Sequence, residues 1–197
     1  TQPLPSPRLE WLLPAGATAI FLILALALTW PPVAAWNANR AGLLQIRAAF
    51  DNTLSRDQIK TMRSQSEDLF LRALAVDPGS PPIQRRYGLL LMEQERFSEA
   101  IPHLELAYQT KPNHVGASKS LGLAYMWTGD LDRAEKLLSG IPNITVELEG
   151  LAWREYNDFQ HYQNALYTFL LLDRLEPGLD FTREMIDSLQ RRLAPGK

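Results

Sequence analysis

The 197-residue sequence contains no cysteine. That excludes a disulfide framework, a thiolate metal site, a cysteine nucleophile and covalent c-type haem. It leaves the compartment open, because a cysteine-free chain suits either side of a membrane. Histidine is also scarce: His103, His114 and His161 are the only three. None has a second ligand at a metal-binding offset on the same helix face, so all three read as surface or groove-edge residues. An excess of charge is missing too. The formal net charge is −2 and the pI about 5.9, so no global basic field recruits nucleic acid or anionic lipid. The segment GASKSLG at 116–122 lacks the Gly-Lys-Ser/Thr order and the preceding strand of a phosphate loop. No nucleophile elbow or acid–base pair stands at a recognisable spacing. Glu93, Glu95, Glu99 and Glu105 read as solvated helix faces. The sequence therefore calls for no enzyme activity, no cofactor and no small-molecule substrate.

Charge is absent locally as well. From Trp11 to Asn39 there is no charged residue. The inner part, LLPAGATAIFLILALALTW, is long enough as a helix to cross a hydrocarbon layer of about 30 Å. Pro14 would fall in its first turn, where proline is tolerated. Trp11 and Trp30 bracket the run and Trp36 follows, as interfacial aromatics do. The expected element is a single transmembrane helix over 11–36, after a proline-rich tail over 1–10. A buried core helix would not be so long or so uniformly apolar. A cleaved leader is the competing reading, with Arg8 in its charged region and Val33-Ala34-Ala35 as its cleavage site. Orientation is weakly signalled, with Arg8 before the run and Arg40 and Arg47 after it. Thr1 reads as a residue left by initiator methionine removal. The simpler insertion then puts the tail inside and the rest of the chain on the extracytoplasmic side.

Beyond the span, one pattern is written twice. Gly88 and Gly122, Ala100 and Ala134, and Leu104 and Leu138 are each 34 residues apart. Carried backwards, the same step relates Pro112 to Pro78, Ala107 to Ala73 and Leu104 to Phe70. Glycine inside a helix costs about 1 kcal/mol against alanine, so its recurrence implies a close helix–helix approach. Ala100 and Ala134 do the same on the second helix of each pair, and Leu91 and Tyr125 fill the space beside them. Glu95-Arg96-Phe97 and Thr128-Gly129-Asp130-Leu131 are the turns between paired helices. Pro112 closes the second helix.

This 34-residue pattern resembles the tetratricopeptide repeat family, several of whose positions match at fixed offsets in two consecutive copies. The resemblance implies an all-α fold: an α-solenoid of three to four helical hairpins with a C-terminal capping helix, attached to the transmembrane helix. Residues 37–60 form a connector helix and loop, 61–178 the repeats, and 179–197 the capping helix and tail. In the connector, Leu43, Leu44, Ile46 and Phe50 recur at helical spacing. Ser55 with Gln58 fits a capping box opening the next helix. That helix reads as the second of a degenerate first repeat, paired with the connector helix. After the second copy the step shortens to 31, from Ala134 to Ala165. SGIPNITVEL then reads as a shortened, irregular connection, and Trp153 stands where the family has glycine. The last helix starts near Asp180 and carries Phe181, Met185, Leu189 and Leu193.

The resemblance also implies a groove lined by first-helix positions that holds a segment of a partner protein. Carried over, these positions are Arg85, Leu89, Met92 and Glu93 in one copy and Lys119, Leu123, Met126 and Trp127 in the next. In the last repeat they are Arg154, Asn157 and Asp158. The competing reading of Leu89, Leu123 and Met126 is that they are core between repeats. Methionine and tryptophan would be adaptable apolar contacts. Arg85, Lys119 and Arg154 would form a basic stripe facing an acidic segment or a terminal carboxylate. Chaperone-binding members place an asparagine where this chain has Leu89 and Leu123, which argues against a chaperone adaptor. The function expected is a membrane-anchored scaffold, an accessory or assembly subunit of a larger membrane complex. Its partners would be proteins and the lipid bilayer, without nucleic acid. A loose resemblance to the repeat tails of O-antigen ligase and polymerase-like proteins gives the alternative, a companion or fragment of a glycan-handling membrane enzyme.

Overall fold

A computed structural model describes residues 18–25 and 31–194. The expected tail over 1–10, much of the 11–36 span, Trp11, Trp30 and the last three residues lie outside them. Among the described residues there are helices and turns but no strand. No helix among them is long and apolar enough to cross a membrane. The chain divides into two compact units, Thr1–Pro78 and Gly79–Lys197.

In the first unit, a helical stretch α1 covers 18–25, α2 runs Pro31–Phe50 and α3 runs Arg56–Val76. The loop between α2 and α3 is short. The connector over 37–60 is thus most of α2, this loop and the first turn of α3. The expected capping box is present: the Gln58 N–H donates to Ser55 Oγ, and the Ser55 N–H donates to the Gln58 side chain. α2 and α3 pack together as a pair. The buried face of α2 is not the one its bulky residues suggested. Ala34, Ala38, Ala41 and Ala48 face inward, at four-, three- and seven-residue spacing along one stripe. Opposite them α3 buries Ser66, Phe70 and Ala73, and Ser66 Oγ donates to the Ala41 carbonyl at 2.9 Å. Leu43, Ile46 and Phe50 point outward, while Leu44 is half-buried. Alanine wins the contact because small side chains let the two backbones approach closely.

The second unit holds three hairpins and a closing helix. These are α4 (Pro81–Glu93) with α5 (Phe97–Thr110), α6 (Val115–Trp127) with α7 (Leu131–Leu138), and α8 (Ile144–Arg154) with α9 (Tyr162–Leu175). α8 continues through a wide π-helical turn, Glu155–Phe159. α10 (Asp180–Leu193) packs on α9 in the expected closing position. Each hairpin turn contains a left-handed residue: Glu95 (φ 59°), Gly129 (φ 85°) and Gln160 (φ 58°). The repeating contact is glycine against leucine. A Cβ on Gly88 would lie 2.7 Å from the Leu104 side chain, and one on Gly122 would lie 2.6 Å from that of Leu138. Leu90, Leu104, Met126, Leu138, Phe169 and Leu172 form the dry interior around these contacts.

Two expectations for the third hairpin need correction. SGIPNITVEL is not an irregular connection throughout. The helix α8 begins at Ile144, just after left-handed Asn143 (φ 58°), and it buries Ile144, Leu148 and Ala152. Nor does Trp153 replace the family's glycine. The π turn accommodates one extra residue, so the small residue sits 13 positions before Ala165 instead of the 12 that separate Gly88 from Ala100. That residue is the fully buried Ala152. Trp153 turns aside, its ring edge-on to Phe169 at 5.4 Å and stacked near Phe181 at 6.3 Å.

The close approach at glycine yields a paired test. Gly122→Val should destabilise the chain by about 1–3 kcal/mol through overpacking against Leu138. Gly150, on α8, has nothing within 4 Å of a built Cβ. Gly150→Ala should be neutral or stabilise by up to about 1 kcal/mol through helix propensity. Urea unfolding followed by circular dichroism reads both.

Candidate partner-binding groove

A cavity of about 670 Å³ opens between α6 and α8. On α6, Lys119, Leu123 and Trp127 follow one another at four-residue steps, so they lie on one face. On α8 and its π turn, Val146, Glu147, Gly150, Leu151, Arg154, Asn157 and Asp158 present a facing strip. Six of the eleven positions carried over from the repeat pattern therefore meet here: Lys119, Leu123, Trp127, Arg154, Asn157 and Asp158.

The other five do not line this cavity. Met126 is fully buried in the core, which corrects its assignment to the groove. Met126 turns into the core, while Leu123 and Trp127 are half-buried and line the cavity. Leu89 and Met92 on α4 are half-buried and Glu93 is exposed. Arg85 lines a smaller cavity of about 180 Å³ with Pro81, Pro82, Ala107, Lys111, His114 and Ala117. Of the interface tryptophans, Trp36 is exposed on α2.

The charge pattern also departs from the expected basic stripe. Lys119 Nζ is ion-paired with Glu147 of α8, a residue that the reading of 139–148 as a connection had concealed. Arg154 is matched in the lining by Asp158. The cavity thus carries two cations and two anions around the apolar surfaces of Leu123, Trp127, Val146 and Leu151. The Trp127 ring leans on Phe97, with centroids 5.0 Å apart. Its buried indole Nε1 has no hydrogen-bond partner among the described residues. The missed residues had a sequence signal: Ile144, Leu148 and Ala152 recur every four residues, which marks a helix beginning at 144.

Several groups expected at the surface have partners within and between the helices. Glu105 accepts the hydroxyl of Tyr125, and Arg133 lies 4.1 Å over the Tyr125 ring. Burial, reinforced by the Glu105 carboxylate, raises the Tyr125 phenol above its ordinary value. Glu99 binds Arg96 at 2.7 Å. His161 faces Glu155 at 3.1 Å and Glu95 at 3.4 Å. His114 is the N-cap of α6, its Nδ1 accepting the Ala117 N–H. His103 is partly buried between Tyr87, edge-on at 4.7 Å, and Gln84, whose amide oxygen is 2.6 Å from Nδ1. Among the described residues, no group of three or more His, Asp or Glu side chains could hold a metal ion.

Comparison with known proteins gives one family. Family profiles described as tetratricopeptide repeat match residues 63–115 and 91–147. The chain carries tetratricopeptide repeats over that stretch. No curated protein matches the chain. Among solved structures, the Sgt2 tetratricopeptide domain from Aspergillus fumigatus is similar at 16% identity, covering 82% of this chain and 79% of that one, with a TM-score of 0.44. PilF of Pseudomonas aeruginosa is similar at 19% identity over 80% and 76%, with a TM-score of 0.44. The first tetratricopeptide domain of Spaghetti (RPAP3), bound to the HSP90 peptide SRMEEVD, is similar at 13% identity over 80% and 96%, with a TM-score of 0.38.

Burial lowers the pKa of His103, with Glu99 opposing the shift only in part. The folded chain therefore releases this proton more readily than the unfolded chain. The stability it contributes is complete above the ordinary value of about 6.5 and is lost as pH falls through the lowered folded value. His103 should titrate below 6.5 by NMR. His103→Phe should flatten the loss of stability on the acid side of that value, read from urea midpoints across the range.

Proposed function

We propose that this chain is a membrane-anchored repeat scaffold, an accessory or assembly subunit of a larger membrane complex, which holds a segment of a partner protein in the cavity between α6 and α8. The observation that carries the reading is the cavity itself. An apolar floor of Leu123, Trp127 and Leu151 is rimmed by Lys119, Glu147, Arg154 and Asp158. A partner segment that fits it presents apolar side chains flanked by charges of both signs, not an acidic tail alone. Apolar anchors give such a contact its energy, and rim charges give it register. The uncharged run from Trp11 to Asn39 supports the anchor. The repeats then stand on the extracytoplasmic side, and the scaffold acts by binding, without catalysis.

Val146 and Arg154 test this without disturbing the core, because both are exposed rim residues. The intact chain, purified in mild detergent from its own membranes, should retain a fixed set of membrane proteins by quantitative mass spectrometry. Val146→Asp combined with Arg154→Glu should cut retention of at least one of them about tenfold, a change of about 1.4 kcal/mol. The thermal midpoint should stay unchanged. Equal retention by the double variant would remove the cavity from the interaction.

A further inference from the structure

Among the described residues, no element covers the face of α2 turned away from α3. Trp36, Leu43, Ile46 and Phe50 are 65%, 68%, 59% and 82% exposed. Residues 36, 43 and 50 are seven apart, so they stand nearly in register along one side of the helix, with Ile46 beside them. The stripe is about 21 Å long at 1.5 Å per residue. The alanines that bind α3 occupy the opposite side. Arg40 and Arg47 each lie four residues beyond a stripe residue, so they flank it on one edge. No Asp or Glu occurs in Pro31–Phe50. Arg47 pairs with Asp51 at 3.3 Å, just past the helix end, and Arg40 has no ion pair among the described residues.

We infer that α2 is an interfacial helix that lies along an anionic bilayer surface, with Trp36, Leu43, Ile46 and Phe50 sunk into the headgroup–acyl boundary and Arg40 and Arg47 at the phosphates. This rests on the membrane-anchored reading above. Three observations select lipid as the occupant. The stripe carries tryptophan, phenylalanine and leucine on one face with arginine at its edge, the composition of helices that lie in the interface. The charges within the helix, Arg40 and Arg47, are both positive, complementary to anionic headgroups, and Asp51 follows only past its end. The uncharged run that begins at Trp11 leads into this helix without a break, so the helix starts where the span would leave the membrane. Arginine stems are long enough to follow the apolar face while their guanidinium groups stay in water.

The absence of cysteine makes the test direct, since one introduced thiol reports one position. Leu22→Cys reads the span, Leu43→Cys and Phe50→Cys read the stripe, and Arg63→Cys reads an exposed site on α3. Each full-length variant is labelled with an environment-sensitive fluorophore and reconstituted in phosphatidylcholine–phosphatidylglycerol vesicles. Quenching by nitroxide-labelled lipid and by aqueous iodide is then compared. The inference requires lipid quenching at 22, 43 and 50 together, with 63 open to iodide. Lipid quenching at 22 with 43 and 50 as open to iodide as 63 overturns it and leaves the anchor standing. Positions 43 and 50 shielded from iodide yet unquenched by lipid overturn it in favour of a second copy of the chain. No lipid quenching at 22 removes the anchored reading and the inference with it.

Discussion

The second unit depends on how closely the two helices of a hairpin can approach. At Gly88 and Gly122 a leucine from the paired helix occupies the space a Cβ would need. That contact fixes the depth at which α5 sits on α4 and α7 on α6, and so fixes which residues of the first helix face away from the hairpin. Glycine is a poor helix former, and its helix-propensity cost of about 1 kcal/mol at each site is offset by packing of Leu104 and Leu138 that no larger residue would permit. The third hairpin keeps the constraint with different means. Ala152 is the small residue, and the π turn at Glu155–Phe159 takes up the register change this requires.

The cavity follows from that geometry. Met126 is committed to the core, while Leu123 and Trp127, three residues before it and one after, line the cavity towards α8. α8 begins early enough, at Ile144, to bring Glu147 against Lys119. The result is a surface of mixed charge over an apolar floor. A half-exposed ion pair of this kind contributes about 0.2–1 kcal/mol to stability, so its main effect is on which partner charges the cavity accepts.

The hairpins of the repeats were legible in the sequence because glycine, alanine and leucine recur at one fixed step and are used at the same contacts. The capping box at Ser55 and the turns around Glu95 and Gly129 were legible for the same local reason. α8 was hidden because the broken 34-residue step suggested a connection, although Ile144, Leu148 and Ala152 kept a helical spacing. Losing α8 meant losing Glu147, and with it the balance of charge in the cavity. α2 misled in another way. Its large apolar residues stood at helical spacing, but a helix packed through alanine leaves those residues outside. Periodicity finds an apolar face without saying which of two faces is buried.

The central claim is that the space between α6 and α8 receives a partner, and photocrosslinking tests it most directly. A photoreactive amino acid is placed at Val146 inside the cavity or at Leu106, which is exposed on α5 and does not line it. Irradiation in native membranes should give a discrete adduct from position 146 and none from 106. Adducts from 106 alone, or the same adducts from both, would contradict the claim.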